Sequence, residues 1–265
     1  MYSSFQLAKK YLRYYLSASN GKGHGTHSPF VYNFITHVLN DNKKYACYKD
    51  IEVIRQQLLR DRTVIEVEDF GAGSALIKSN QRIVKAIARS SLKQPKYAQL
   101  LFRMVQYYQP KQVLELGTSL GITTAYLASG NVVAQIYTCE GAPQIAAIAQ
   151  QHFNGLALKN IQLITGDFAA TLPPLLQTTG TVDFAFIDGN HRKEPTLQYF
   201  QQLLNHANAN TILVFDDIHW SAGMEEAWAE IQQHPAVTLT IDLFFIGIVC
   251  LNKDIKNSQH FIIKY

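Results

Sequence analysis

QVLELGTSLG, residues Gln112 to Gly121, is the stretch whose reading decides the fold. Val113, Leu114 and Leu116 form a short apolar run around one acid, Glu115, and Gly117 and Gly121 follow with Thr118 and Ser119 between them. Such a run, closed by glycines, reads as a buried strand entering a tight loop. Glycine tolerates backbone that other residues avoid and lets the main chain approach a ligand, while Glu115 can accept hydrogen bonds from a cationic amino group. The glycines stand four apart, so this is not the dinucleotide pattern GxGxxG. About 22 residues later a second apolar run ends in Cys139-Glu140. Ligands of open α/β sheets lie at the carboxyl ends of strands, and a carboxylate there can take both hydroxyls of a ribose. The two strand ends together predict a nucleoside ligand.

Working outward, the chain from Pro95 alternates helices with short apolar strands. Strands are predicted at Gln112–Leu116, Ala134–Cys139, Ile161–Thr165, Val182–Ile187, Thr211–Phe215, Val237–Leu243 and Phe245–Leu251. Helices are predicted at Tyr97–Tyr108, Ile122–Ser129, Gln144–Phe153, Glu194–Asn208 and Met224–His234. This alternation predicts an α/β fold, a Rossmann-like doubly wound sheet of about seven strands, mostly parallel and covered on both faces. The last two strands are too close for a helical crossover and should pair antiparallel. The tail His260–Tyr265 can add an edge strand. Residues 95–265 are therefore read as the cofactor-binding domain and residues 1–94 as a helical and loop extension, a lid or substrate-side region.

Within the extension, Phe5, Ala8, Leu12, Tyr15 and Leu16 fall at helical spacing, with Lys9, Lys10 and Arg13 on other faces. Ser28-Pro29 reads as a helix start, because a serine hydroxyl can cap free N–H groups and proline fits the first helical position. One helix should run from Pro29 to about Leu39 and another from Asp50 to Leu59. A rival glycine loop, Val64–Ser74, has an apolar run, an acid and two glycines, but no second strand ending in an acid follows it. Its Asp69–Ser74 portion reads as a turn or lid segment. His24 and His27 have HxxH spacing in a glycine-rich loop without further ligands, which favours loop ordering over a metal.

Composition narrows the class. The chain has 265 residues, 47% hydrophobic and 17% charged, with a formal net charge of +4 that gathers near its front. No apolar run approaches the roughly 20 residues that span a bilayer, and the first residues lack the apolar core of a signal peptide. Cys47, Cys139 and Cys250 lie far apart, which suits reduced thiols in a cytoplasmic protein rather than a disulfide or zinc framework. The mild charge demands no nucleic acid, and a homodimer is one assembly the reading allows.

Five segments in order, VLELGTSLGITTAYLA, YTCEGAP, LITGDFAATLPPL, VDFAFIDGNHRKE and ILVFDDIHW, resemble the catechol O-methyltransferase-like group of class I S-adenosylmethionine-dependent methyltransferases. The resemblance covers about residues 94–251 and includes the helix KYAQLLFRMV before the first strand. It implies that the first loop, Glu115 to Gly121 with Thr118 and Ser119, holds the methionine part of S-adenosyl-L-methionine. It further implies that Glu140 binds the ribose and that Asp167 with Phe168 borders the adenine. As a residue before a helix, Asp167 can equally cap the N–H of Ala169.

Methyl transfer from a sulfonium is an in-line displacement that needs an aligned nucleophile and, for a hydroxyl, a proton acceptor. Asp188 at the end of the fourth strand and Asp216 with Asp217 at the end of the fifth form a carboxylate trio suited to Mg²⁺ or another hard divalent cation. Metal-dependent members of the group resemble this with an asparagine where Asp217 stands here. Metal-free members keep aspartates at these strand ends to cap helices or contact the cofactor, so Asp188 is also a candidate cofactor contact. His191 lies three residues after Asp188, where the group carries a lysine base, and histidine titrates near neutrality. His219 and Trp220 can wall an acceptor pocket. Asp188-Gly-Asn-His is not the Asn/Asp-Pro-Pro-aromatic sequence of base aminomethylation, and no cysteine is placed for cytosine C5 chemistry. The expectation is an O-methyltransferase acting on a small-molecule acceptor. The alternatives are a metal-independent N- or O-methyltransferase of a natural product, sugar or lipid-linked group, and a cofactor-binding partner protein without catalysis.

Overall fold

A computed structural model describes residues 1–19, 21, 28–67 and 81–265. His24, His27 and the segment Asp69–Ser74 lie outside the described residues. The chain divides into two compact units, Asp41–Thr178 and a discontinuous one of Met1–Asn40 with Thr179–Tyr265.

The continuous unit begins with α3 (Ala46–Leu58), the antiparallel pair β1 (Val64–Glu66) and β2 (Gln81–Ile83), α4 (Val84–Ser91) and α5 (Pro95–Tyr108). Then come β3 (Gln112–Leu116), α6 (Ile122–Gly130), β4 (Gln135–Glu140), α7 (Pro143–Gly155), β5 (Ile161–Thr165) and α8 (Phe168–Thr179). β3, β4 and β5 pair in parallel, with Leu116 opposite Cys139 and Glu140 opposite Thr165, so their carboxyl ends lie side by side. Helix α6 is buried nearly throughout and packs closely on α5. A Cβ at Gly130 would lie 2.8 Å from the Phe102 carbonyl oxygen, so only glycine admits that approach. Under the helices, Tyr48 meets Phe102 and Tyr126 edge-on at 5.0 and 5.5 Å.

The discontinuous unit holds α1 (Ser4–Ser17), α2 (Pro29–Asn33), a π-helical stretch Phe34–Leu39, β6 (Val182–Ile187), α9 (Lys193–Leu204), β7 (Ala207–Asp216), α10 (Ala222–Gln233), β8 (Leu239–Asp242), β9 (Ile246–Cys250) and β10 (Gln259–Ile262). β6 and β7 are parallel, β9 runs antiparallel between β7 and β8, and β10 lies parallel on β8. Helix α1 opens with a reciprocal cap: Gln6 N–H donates to Ser3 Oγ, and Ser3 N–H to Gln6 Oε1. Its inner face, Leu7, Tyr11, Tyr14 and Ala18, packs on Phe244 and Phe245.

The strand order β10-β8-β9-β7-β6-β3-β4-β5 is that of a mixed, mostly parallel eight-stranded Rossmann-like sheet. All seven predicted strands are present, with β3, β5 and β6 at the predicted bounds. Two expectations need correction. The helix expected to reach Asn208 stops at Leu204, because Asn208 N–H is taken by Thr211 Oγ1 and β7 already begins at Ala207. Ser28 precedes Pro29 as expected, but its side chain makes no capping bond. The last two predicted strands, β8 and β9, pair antiparallel as expected, and the tail adds the parallel edge strand β10.

Candidate active site

The glycine loop leaves β3 through Gly117 at φ 102, Ser119 at φ 47 and Gly121 at φ 83. Gly121 is irreplaceable on two counts: its backbone is left-handed, and a Cβ would lie 2.7 Å from the Phe153 ring. The N–H groups of Gly117 and Thr118 both donate to the Cys139 carbonyl, which ties the loop to the end of β4. Beside it, Glu140 takes the Ser119 N–H on Oε2 at 2.7 Å and the Ala142 N–H on Oε1 at 3.0 Å. A carboxylate is an acceptor only, and these two bonds fix its orientation.

Glu115 is placed differently from the reading that it faces a ligand alone. It is fully buried, and its Oε2 accepts the hydroxyls of Thr124 and, at 2.6 Å, Thr138. Thr118 joins the same chain through Thr138 at 2.6 Å. Oε1 is buried with no hydrogen-bond partner among the described residues. Burial pushes the Glu115 carboxyl up to about 7, against the threonine hydroxyls that lower it. The loop is held further by Ser91, whose hydroxyl is 2.8 Å from that of Ser119, and by His152, whose Nδ1 is 2.9 Å from the Leu120 carbonyl. None of these four supports was expected. Thr124 and Thr138 were visible only as polar residues inside apolar runs, and Ser91 and His152 gave no signal.

Asp167 stands exposed ahead of α8 and accepts the Ala169 N–H at 3.3 Å, so its capping role is realised. Phe168, half-buried, is the first residue of that helix.

In the discontinuous unit, Asp188 after β6, His191 three residues on and buried Asp216 at the end of β7 each offer one ligand atom, all within 4.8 Å of one another. His191 Nε2 is 3.5 Å from Asp188 Oδ1. Asp217 is not in this group. It turns off the strand at φ 52 with its N–H bonded to the Phe245 carbonyl at 2.7 Å. Consecutive strand residues point to opposite faces, so adjacent acids seldom converge on one ion. The observed set is two carboxylate oxygens with an imidazole nitrogen beside them, and the carboxylates suit a hard divalent cation such as Mg²⁺ or Mn²⁺.

His219 and Trp220 have other partners. The His219 ring lies between Glu225 Oε1 at 3.0 Å and Asp242 Oδ2 at 2.8 Å and stacks on Phe244. Burial opposes its protonation, but hydrogen bonds and charge from Asp242 and Glu225 outweigh it and raise its pKa. The Trp220 carbonyl accepts the Tyr2 N–H.

The order of strands and the loop after β3 define the Rossmann-like methyltransferase fold. Residues 114–218 match the family described as "Methyltransferase domain". It is 30% identical over 147 residues to a catechol O-methyltransferase of Niastella koreensis, covering 54% of this chain and 66% of that one. It is 28% identical over 159 residues to a catechol O-methyltransferase of Mycobacterium tuberculosis, covering 59% and 69%. Among solved structures, the SAH-bound methyltransferase PaMTH1 of Podospora anserina superposes with a TM-score of 0.60 at 14% identity, over 95% of this chain and 98% of that one. At that identity the likeness concerns the fold.

Proposed function

We propose that this protein is an S-adenosylmethionine-dependent O-methyltransferase acting on a hydroxyl of a small molecule. The observation that carries the reading is Glu140, a carboxylate at the end of β4 held by the Ser119 N–H of the glycine loop, so that the acid and the loop are fixed together. The names of the two curated relatives support the O-methyl chemistry. Glu140 takes the ribose hydroxyls, Gly117 to Gly121 lie along the methionine portion, and Asp167 and Phe168 border the adenine. Glu115, whose Oε1 has no hydrogen-bond partner among the described residues, is read as the acceptor for the amino group of the cofactor.

In the reaction the S–CH₃ bond breaks as an O–CH₃ bond forms, the sulfonium becomes a neutral thioether, and the hydroxyl proton must leave. His191 accepts that proton, and Asp188 stabilises the imidazolium that results. Asp188 and Asp216 would also hold a divalent cation, with His191 outside its coordination as the base, and the charge of the cation would lower the pKa of an acceptor hydroxyl.

Titration calorimetry with S-adenosylmethionine tests the central assignment. Binding in the micromolar range is expected, with Glu140→Ala weakening it at least about tenfold through lost charge-assisted hydrogen bonds. Absence of heat at millimolar cofactor would remove the assignment.

A further inference from the structure

We propose that α1 is a docking surface for a bilayer carrying anionic headgroups. The helix packs inward through Leu7, Tyr11, Tyr14 and Ala18, while a second apolar row points outward. Phe5 is 80% exposed, Leu12 57% and Leu16 74%, and Ala8 and Tyr15 are exposed with them. At 100° per residue, Phe5, Leu12 and Leu16 fall within one narrow stripe. Isolated exposed apolar residues need no explanation, but a continuous row on a docked helix marks an interaction site.

Charge identifies the occupant. Residues 1–40 contain Lys9, Lys10, Arg13 and Lys22 and neither an aspartate nor a glutamate. Lys10 is engaged by Glu225, while Lys9 and Arg13 are exposed beside the stripe. On its other flank, Lys264 Nζ lies 4.8 Å from the Tyr15 ring centroid. Apolar side chains bordered by cations and an amphipathic tyrosine match the requirements of an anionic lipid interface. A second copy fits less well: a two-fold contact would bring each copy's Lys9 and Arg13 onto the other's, with no acid on the helix to separate them.

Sedimentation with unilamellar vesicles tests this on the full chain. The wild-type protein is expected to bind phosphatidylcholine vesicles containing phosphatidylglycerol at least about tenfold more tightly than pure phosphatidylcholine, with high salt removing the difference. The triple variant F5S/L12S/L16S should lose binding to both. K9Q/R13Q should lose only the preference for phosphatidylglycerol. None of these side chains packs on the fold, so circular dichroism and thermal melts of the variants should match the wild type. Failure to bind mixed vesicles, or binding unchanged in the triple variant, would overturn the proposal. So would a dimer of the wild type that the triple variant dissociates in analytical ultracentrifugation, because a second copy would then be the occupant.

Discussion

His191 sits 3.5 Å from Asp188 and within reach of Asp216, and its assigned work is to receive a proton. Replacing it with alanine is expected to lower kcat about 100-fold while leaving cofactor affinity unchanged. Intact turnover would exclude it as the base. Glu115 makes a different prediction. Folded, it holds its proton to about pH 7, whereas its ordinary value is 4.5. Between those values the folded chain binds more protons than the unfolded one, so stability falls as pH rises through the window. Thermal melts from about pH 5 to about pH 8 should decline more steeply in the wild type than in Glu115→Gln. An identical decline in both would show that Glu115 is not the group responsible. At this scale the sequence exposed acids at strand ends because position along a strand is legible. It did not show which side chains lie across from one another. Strand-end position and the resemblance group Asp217 with Asp216, whereas the cluster in the structure is Asp188, His191 and Asp216.

At the scale of elements, α1 is secured through one carboxylate. Glu225 on α10 accepts the Tyr2 hydroxyl at 2.7 Å, Lys10 Nζ at 3.0 and 2.9 Å, and His219 Nδ1 at 3.0 Å. Burial works against the Glu225 charge, but Lys10, Tyr2 and His219 together hold its pKa below 4.5. His219 is shifted the other way, above 6.5. The Glu225 contribution is present above its unfolded pKa and lost as pH falls through the depressed folded value. The His219 contribution is complete below 6.5 and lost as pH rises through the raised one. Hydrogen exchange of the α1 amides, corrected for intrinsic rates, should be slowest between those limits. It should quicken at least about fivefold in Glu225→Gln. Unchanged protection in that variant would show that aromatic packing alone holds the helix. The sequence marked α1 by its apolar spacing, yet the row it displayed faces outward and the aromatic row Tyr11 and Tyr14 faces in. Amphipathicity read from one helix cannot choose between two apolar rows when tyrosines count as polar. Helix α8 is signalled in the sequence only by Asp167 at its start, since Pro173 and Pro174 lie inside it and proline ordinarily ends a helix.

For the whole molecule, the alternation of apolar strands and helices specified the doubly wound sheet, because a parallel sheet covered on both faces leaves few other arrangements of such a pattern. The hairpin of β1 and β2 and the edge strand β10 were harder to see, being only three and four residues long and largely exposed. Metal dependence is a property of the assembled enzyme, and its test uses the full chain. Turnover of a catechol panel is expected to fall more than about tenfold in EDTA and to recover when Mg²⁺ or Mn²⁺ is added back. Turnover unaffected by chelator would leave His191 and Asp188 to move the proton alone.

The bonds between the front of the chain and residues 259–265 bear on how the protein is made. Ser19 N–H donates to the Ile262 carbonyl, Lys264 N–H donates to Ser19, and the Tyr14 hydroxyl donates to the Ile263 carbonyl across a separation of 249 residues. During synthesis α1 therefore leaves the ribosome long before its partner strand exists. At about 5–20 residues per second that interval is on the order of tens of seconds. Asp41–Thr178 is continuous and can close in the meantime, whereas the inner row of α1 waits uncovered until Phe244 and Phe245 follow. Chaperone capture of the nascent chain is thus favoured at α1, and the last bonds close only once residues 262–264 are made.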